Sequence, residues 1–215
     1  VTFDSEGNYS YANAGAGFTN KSFTITGAAA PTQALAATPY VSRKTHGAAG
    51  TFDIAIDPAG SATAGQSVTV EPRQAQSGAH QIVIAFTSAV SSAQFPTVTA
   101  TAGVTSLPVA TAFNGNEMTV TIGSAGTPVP NGSRVTVSAT GVGTAAGVNP
   151  SVVVGFLVGD VSNNRTVNST DVGTVKGQSG VAVTSSNFKS DLSANGSINS
   201  TDVGLVKGAS GTSIN

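Results

Sequence analysis

Two twelve-residue stretches near the end of the chain constrain its fold more than any other feature. DVSNNRTVNSTD runs from Asp160 to Asp171, and DLSANGSINSTD runs from Asp191 to Asp202. Each opens a longer segment, DVSNNRTVNSTDVGTVKGQSG and DLSANGSINSTDVGLVKGASG, and the two starts lie 31 residues apart. Repetition over this length marks a duplicated structural unit. The spacing of oxygen-bearing side chains within each unit is the second clue. A calcium ion takes about six to eight oxygen ligands, and one short loop supplies them from positions 1, 3, 5, 7, 9 and 12. Position 7 acts through its backbone carbonyl, position 9 often through water, and position 6 turns sharply.

In the second loop those slots hold Asp191, Ser193, Asn195, Ser197, Asn199 and Asp202, with Gly196 at the turn. In the first they hold Asp160, Ser162, Asn164, Thr166, Asn168 and Asp171, with Arg165 at the turn. A non-glycine residue in a left-handed conformation costs roughly 1–2 kcal/mol, so the first site is expected to be the weaker. Its guanidinium must also swing away from the ion. Val167 and Ile198, at position 8, are expected to face away from the ions and tie the loops together by apolar packing. With two carboxylates per site, affinity falls in the ~10⁻⁴–10⁻³ M range of extracellular modules. Two calcium ions, one per loop, are expected. A structural alternative is that the Asn-Ser-Thr-Asp ends simply cap helices.

These loops and the short helices after them resemble the type I dockerin module over residues 159 to about 211. The resemblance implies paired calcium loop–helix units that bind cohesin domains. It also implies that Ser169 and Thr170, and Ser200 and Thr201, at loop positions 10 and 11, contribute to partner recognition. The helices carrying VGTVKGQSG and VGLVKGASG contain glycines, each costing up to ~1 kcal/mol in a helix interior. With VSRKTHGAAGTFDI at the entrance to the preceding strands, the whole layout also resembles secreted and surface proteins of environmental bacteria.

Upstream, β-rich runs recur at residues 22–26, 51–56, 67–71, 81–86, 97–102, 117–122, 134–139 and 151–158, separated by turn signals such as DPAG, FNGN and PVPNGS. Val, Ile and Phe alternate there with Thr and Ser, the pattern of half-buried strands. The seven runs after Tyr40 predict an immunoglobulin-like antiparallel β-sandwich over residues 40–158. The fold class is therefore mainly β, with a small α dockerin-like module carrying paired EF-hand-type loops at residues 159–215. Residues 1–39 read as a strand segment and linker. A short strand pair is not stable alone in water, so this segment is expected to add to its own sheet, to be the stump of an upstream domain, or to be donated to a neighbouring copy through residues 1–30.

Of 215 residues only 9% are charged, against about 25% in an ordinary soluble domain. A surface built from Ser, Thr, Asn, Gln and Gly tolerates self-association more easily. Glycosylation is the rival explanation, with sequons starting at Asn8, Asn20, Asn131, Asn164, Asn168, Asn195 and Asn199. Net charge is −1 with no basic stripe, which argues against nucleic acid. No apolar run is long enough to span a membrane. The absence of cysteine removes thiol catalysis and Cys-based zinc sites. The chain starts VTFDSEGNYS, as a mature or excised fragment would.

No catalytic constellation stands out. His46 and His80 read as isolated turn or surface histidines, and Asp53, Asp57, Glu71 and Glu117 show no mark of a paired acid. Without tryptophan, a carbohydrate-stacking platform is poorly supplied. The sequence thus points to a non-catalytic extracellular calcium-binding protein with a structural or adhesive role, a self-assembling subunit of a surface fibre or matrix. The alternative is a dockerin anchor fragment of a larger secreted enzyme that docks onto a cohesin-bearing scaffold.

Overall fold

Alternation of apolar and polar residues builds most of the body. A computed structural model describes residues 2–3, 9–10, 37–95, 97–141 and 148–215. Residues 1–33 and 34–215 form two separate units. In the first, β1 (Thr2–Phe3) pairs antiparallel with β2 (Tyr9–Ser10). The expected strand at 22–26, and most of the segment considered for donation to a neighbour, lie outside the described residues.

Among its described residues the second unit holds ten strands: β3 (Ala37–Thr45), β4 (Thr51–Ile56), β5 (Thr69–Glu71), β6 (Ala79–Phe86), β7 (Thr97–Ala102), β8 (Thr105–Ser106), β9 (Val109–Asn114), β10 (Glu117–Gly123), β11 (Ser133–Thr140) and β12 (Ser151–Phe156). They form two five-stranded sheets, in the orders β4-β3-β6-β10-β9 and β5-β12-β11-β7-β8. Met118, Val120 and Ile122 of β10, Ile82, Ile84 and Phe86 of β6, and Val135, Val137, Val152 and Val154 of β11 and β12 belong to one buried cluster drawn from both sheets. That cluster is the sandwich core.

Two features depart from the sequence reading. The strands β3, β8 and β9 were not among the seven expected. The architecture is not wholly antiparallel, because β12 pairs with β5 in parallel. A second buried cluster joins Val70 of β5 and Leu157 just beyond β12 to Val167, Val175, Leu192, Val206 and Ile214 of the repeat region.

The repeats supply two ten-residue helices, α1 (Ser169–Gln178) and α2 (Ser200–Ala209). Both start with a capping box, in which the Asn N-cap and the Asp three residues later satisfy each other's backbone N–H groups. Each helix buries little beyond one Asp and one Val. Isolated helices this short are marginal in water, so packing and the loops before them must hold them.

Candidate metal centres

Both loops fold around their first aspartate. Asp160 Oδ1 accepts hydrogen bonds from the Asn164 N–H (3.0 Å) and the Ser162 hydroxyl (3.2 Å), and its Oδ2 accepts from the Arg165 N–H (2.7 Å). Asp191 repeats this with Asn195 (3.2 Å), Ser193 (3.3 Å) and Gly196 (2.8 Å). The closing aspartates repeat one another as well. Asp171 accepts from the Ser162 and Asn168 N–H groups, and Asp202 from those of Ser193 and Asn199, all at 2.9–3.0 Å. Asn164 and Asn195 each accept from the N–H two residues on, at 2.9 Å. Two stretches of different sequence thus close into the same shape because the oxygens at positions 1, 3, 5 and 12 match.

Asn168 and Asn199 accept from the Thr170 and Thr201 N–H groups at 2.8 and 2.7 Å. The helix-capping alternative is therefore realised at position 9, together with the loop rather than in place of it. Gly196 takes φ +92° and Arg165 φ +71° at the turn. As expected, the Arg165 side chain leaves its loop, donating to Gly65 O (2.7 Å) and Gln66 O (3.0 Å) of the sandwich. Val167 and Ile198 are both buried. The backbone of each loop is tied to the end of the other repeat's helix, through Gly211 N–H to Val167 O and Gly180 N–H to Ile198 O, both 2.8 Å.

The donor set fits a hard cation. Asp160, Asp171, Asp191 and Asp202 are all essentially inaccessible to solvent. Among the described residues, no lysine or arginine forms an ion pair with any of them. Burying carboxylates without a compensating charge is costly, and each loop brings two together. Burial raises the Asp160 carboxyl above its ordinary range; the Arg165 and Asn164 N–H groups oppose that rise and the Asp171 charge adds to it. A cation between the two carboxylates would remove the conflict. Among the described residues, no three His, Cys, Asp or Glu side chains gather as a metal site. The remaining oxygens must come from Ser, Thr, Asn and the backbone, as calcium accepts. Ser169, Thr170, Ser200 and Thr201 are exposed on the first turns of their helices.

The sandwich presents a buried polar network to this region, which the sequence reading missed. His46 and His80 are not isolated surface residues; they are 0% and 4% exposed. Glu71 pairs with Arg73 through Nε (2.7 Å) and Nη2 (2.6 Å), and it also accepts from the Ser42 hydroxyl. Arg73 Nη1 donates to His46 Nε2 (3.1 Å), and His46 Nδ1 meets Asp191 Oδ2 at 2.8 Å. Lys44 Nζ donates to Gln74 O and meets His80 Nδ1 at 3.3 Å. Phe52 of β4 stacks on Phe188 just before the second loop (5.1 Å), with Arg73 over the same ring (5.3 Å).

Burial disfavours the Glu71 charge, yet the Arg73 hydrogen bonds and charge outweigh it and hold the carboxyl at about 2. Burial lowers His80 to about 3 and Lys44 to about 8, and it lowers His46 as well. One sequence signal could have flagged the network. In a chain this poor in charge, Ser42, Lys44 and His46 form a period-two row, and Glu71 and Arg73 flank Pro72.

Comparison with known families gives one match: residues 158–209 match the dockerin type I domain. No curated protein and no solved structure matches the chain. No helix among the described residues is long and apolar enough to cross a membrane.

Proposed function

We propose that residues 158–209 bind calcium and dock the chain onto a cohesin-bearing partner. Dockerin type I domains bind calcium and cohesin partners. The observation that carries the reading is the pair of closed loops in that region, whose buried carboxylates no lysine or arginine among the described residues pairs with. In this reading the loops are EF-hand-type and hold two ions. Asp160, Ser162, Asn164, Thr166, Asn168 and Asp171 serve the first, and Asp191, Ser193, Asn195, Ser197, Asn199 and Asp202 the second. The ions would neutralise the carboxylates and fix the loops, since metal binding and folding are one process in small loop–helix units. Folded loops in turn hold Ser169, Thr170, Ser200 and Thr201 at the surface for a partner.

The two-sheet body is, in this reading, a non-catalytic, immunoglobulin-like carrier in an extracellular protein. Its histidines are buried in structural hydrogen bonds, which leaves them poorly placed for chemistry on a substrate. The module serves either as the anchor of a larger secreted protein or as a part of a surface structure; self-assembly into fibres draws no support from the match. Titrating the full chain against a panel of cohesin domains, in millimolar calcium and then in excess EGTA, tests the proposal. Calcium-dependent capture by at least one cohesin is expected. Calcium uptake without capture by any cohesin would remove the docking half and leave the calcium half standing.

A further inference from the structure

The two loops differ in what stands behind them. Asp160 is held within its own loop, by Ser162, Asn164 and Arg165. The first loop touches the sandwich elsewhere, through Asn163 Oδ1 accepting from the Val70 N–H (2.6 Å) and through the Arg165 side chain. Asp191 has one further partner. His46, 145 residues away in sequence, meets its Oδ2 at 2.8 Å with both side chains fully buried. Arginine can only donate, so the Arg73 contact obliges His46 Nε2 to accept. The ring proton therefore sits on Nδ1 and points at Asp191. Glu71 holds Arg73 in turn, through two hydrogen bonds. A chain of fixed groups runs from the floor of the sandwich to one oxygen of the first residue in the second loop.

A second observation, independent of that hydrogen bond, shows that loop and sandwich are built to meet. A Cβ at Gly196 would lie 2.8 Å from His46 O, and one at Gly47 would strike the backbone oxygen of Asn195. The tight turn Gly47–Ala49 after His46 and the turn of the second loop thus press backbone to backbone, with a glycine on each side. Gln74 N–H also donates to Leu192 O at 2.7 Å. In the first loop the corresponding turn carries Arg165, whose side chain reaches the carbonyls of Gly65 and Gln66.

We propose that the sandwich completes the second calcium loop, with His46 as a positioning residue that fixes the Asp191 carboxylate for the ion. It follows that calcium in the second loop and the order of the sandwich around residues 42–50 and 71–76 are coupled, while the first loop binds its ion without such help. The inference rests on the calcium reading above. Groups that orient a metal ligand from behind typically change affinity about 10–100-fold when removed.

The test is calorimetric titration of the calcium-stripped full chain with calcium, for wild type, Asp191→Asn, His46→Ala and His46→Asn. In His46→Ala the binding event that Asp191→Asn abolishes should weaken about 10–100-fold, with the other event unchanged. His46→Asn, which keeps an N–H donor near the Nδ1 position, should restore most of the loss. Equal weakening of both events, or of neither, would overturn the proposal. A measurement on the unaltered protein guards against variants that fail to fold. Added calcium should slow amide hydrogen exchange in residues 42–50 and 71–76, not only beyond residue 158; protection confined to the repeat region would also overturn it. Absence of any calcium uptake by the wild-type chain would instead bring down the calcium reading itself.

Discussion

Arg73→Met probes the energetics of the interior most directly. Arg73 is fully buried and donates to Glu71, to His46, to Phe52 O (3.0 Å) and to Ser42 O (2.9 Å). Methionine fills similar space and removes the guanidinium, leaving the buried Glu71 carboxylate with the Ser42 hydroxyl and the backbone N–H at position 73 as its hydrogen-bond donors. Removing one member of a buried ion pair costs about 3–5 kcal/mol. The protonation chemistry of Glu71 gives a separate estimate. Without Arg73 the carboxyl can escape its penalty by taking a proton. At pH 7 an acid with an ordinary value near 4.5 then gives up about 3.5 kcal/mol, at about 1.4 kcal/mol per pH unit. Two carbonyls left without donors add about 1 kcal/mol each. Both routes arrive at about 5 kcal/mol. With a urea slope of about 2 kcal/mol per molar, the unfolding midpoint should fall by roughly 2.5 M. Urea unfolding followed by circular dichroism, at pH 7 in excess calcium, measures it. The double variant Arg73→Met/Glu71→Gln should recover the carboxylate share and leave a loss of about 2 kcal/mol. A single-variant loss below about 1 kcal/mol, or a double variant no better than the single, would show that the pair contributes nothing.

Acid should weaken the fold in two stages. His80 and His46 are neutral in the folded chain and have lowered values, so the unfolded chain gains protons first; stability falls as pH drops below about 6.5. Glu71 has its folded value depressed to about 2, so its contribution is complete above about 4.5 and is lost on the way down to about 2. A urea midpoint that stays flat from pH 7 to 5 would contradict the histidine stage. Val206→Ala truncates a fully buried side chain in the cluster that also contains Val70 and Leu157. It should cost about 2 kcal/mol and, in calcium, lower a single calorimetric transition of residues 34–215; separate melting of sandwich and repeats would refute the shared core. Arg165→Gly relieves about 1–2 kcal/mol of left-handed strain and gives up two exposed hydrogen bonds to Gly65 and Gln66. Net stability should therefore stay within about 1 kcal/mol of wild type, as equilibrium unfolding will show.

The parts of this structure that can be read from sequence are those whose causes lie within a dozen residues. The loops belong to that class. Asp160 to Asp171 and Asp191 to Asp202 are closed by N–H groups and hydroxyls of their own segments, so spacing alone carries the shape. The strand β10 belongs there too, because Met118, Val120 and Ile122 alternate with Thr119 and Thr121. The strand β3 fails the same test although its period is just as strict. Its inward row continues from Tyr40 into Ser42 and Lys44, and on to His46 beyond its end, so a search for apolar alternation passes over it. β9 fails for the opposite reason, since all six residues of VATAFN are exposed or half-exposed at a sheet edge.

Those buried polar residues are tolerable only because their partners arrive from elsewhere. Glu71 and Arg73 come from the end of β5, Asp191 from the second loop, and Gln74 O from between them. No local pattern announces a pairing between His46 and Asp191 that closes over 145 residues. What the sequence does contain is the charge balance. A chain this sparing with ions has no reason to place Lys44, His46, Glu71 and Arg73 inside a sandwich unless they meet one another. The demand that every buried charge find a partner is therefore the rule that leads from the composition to the junction between sandwich and repeats.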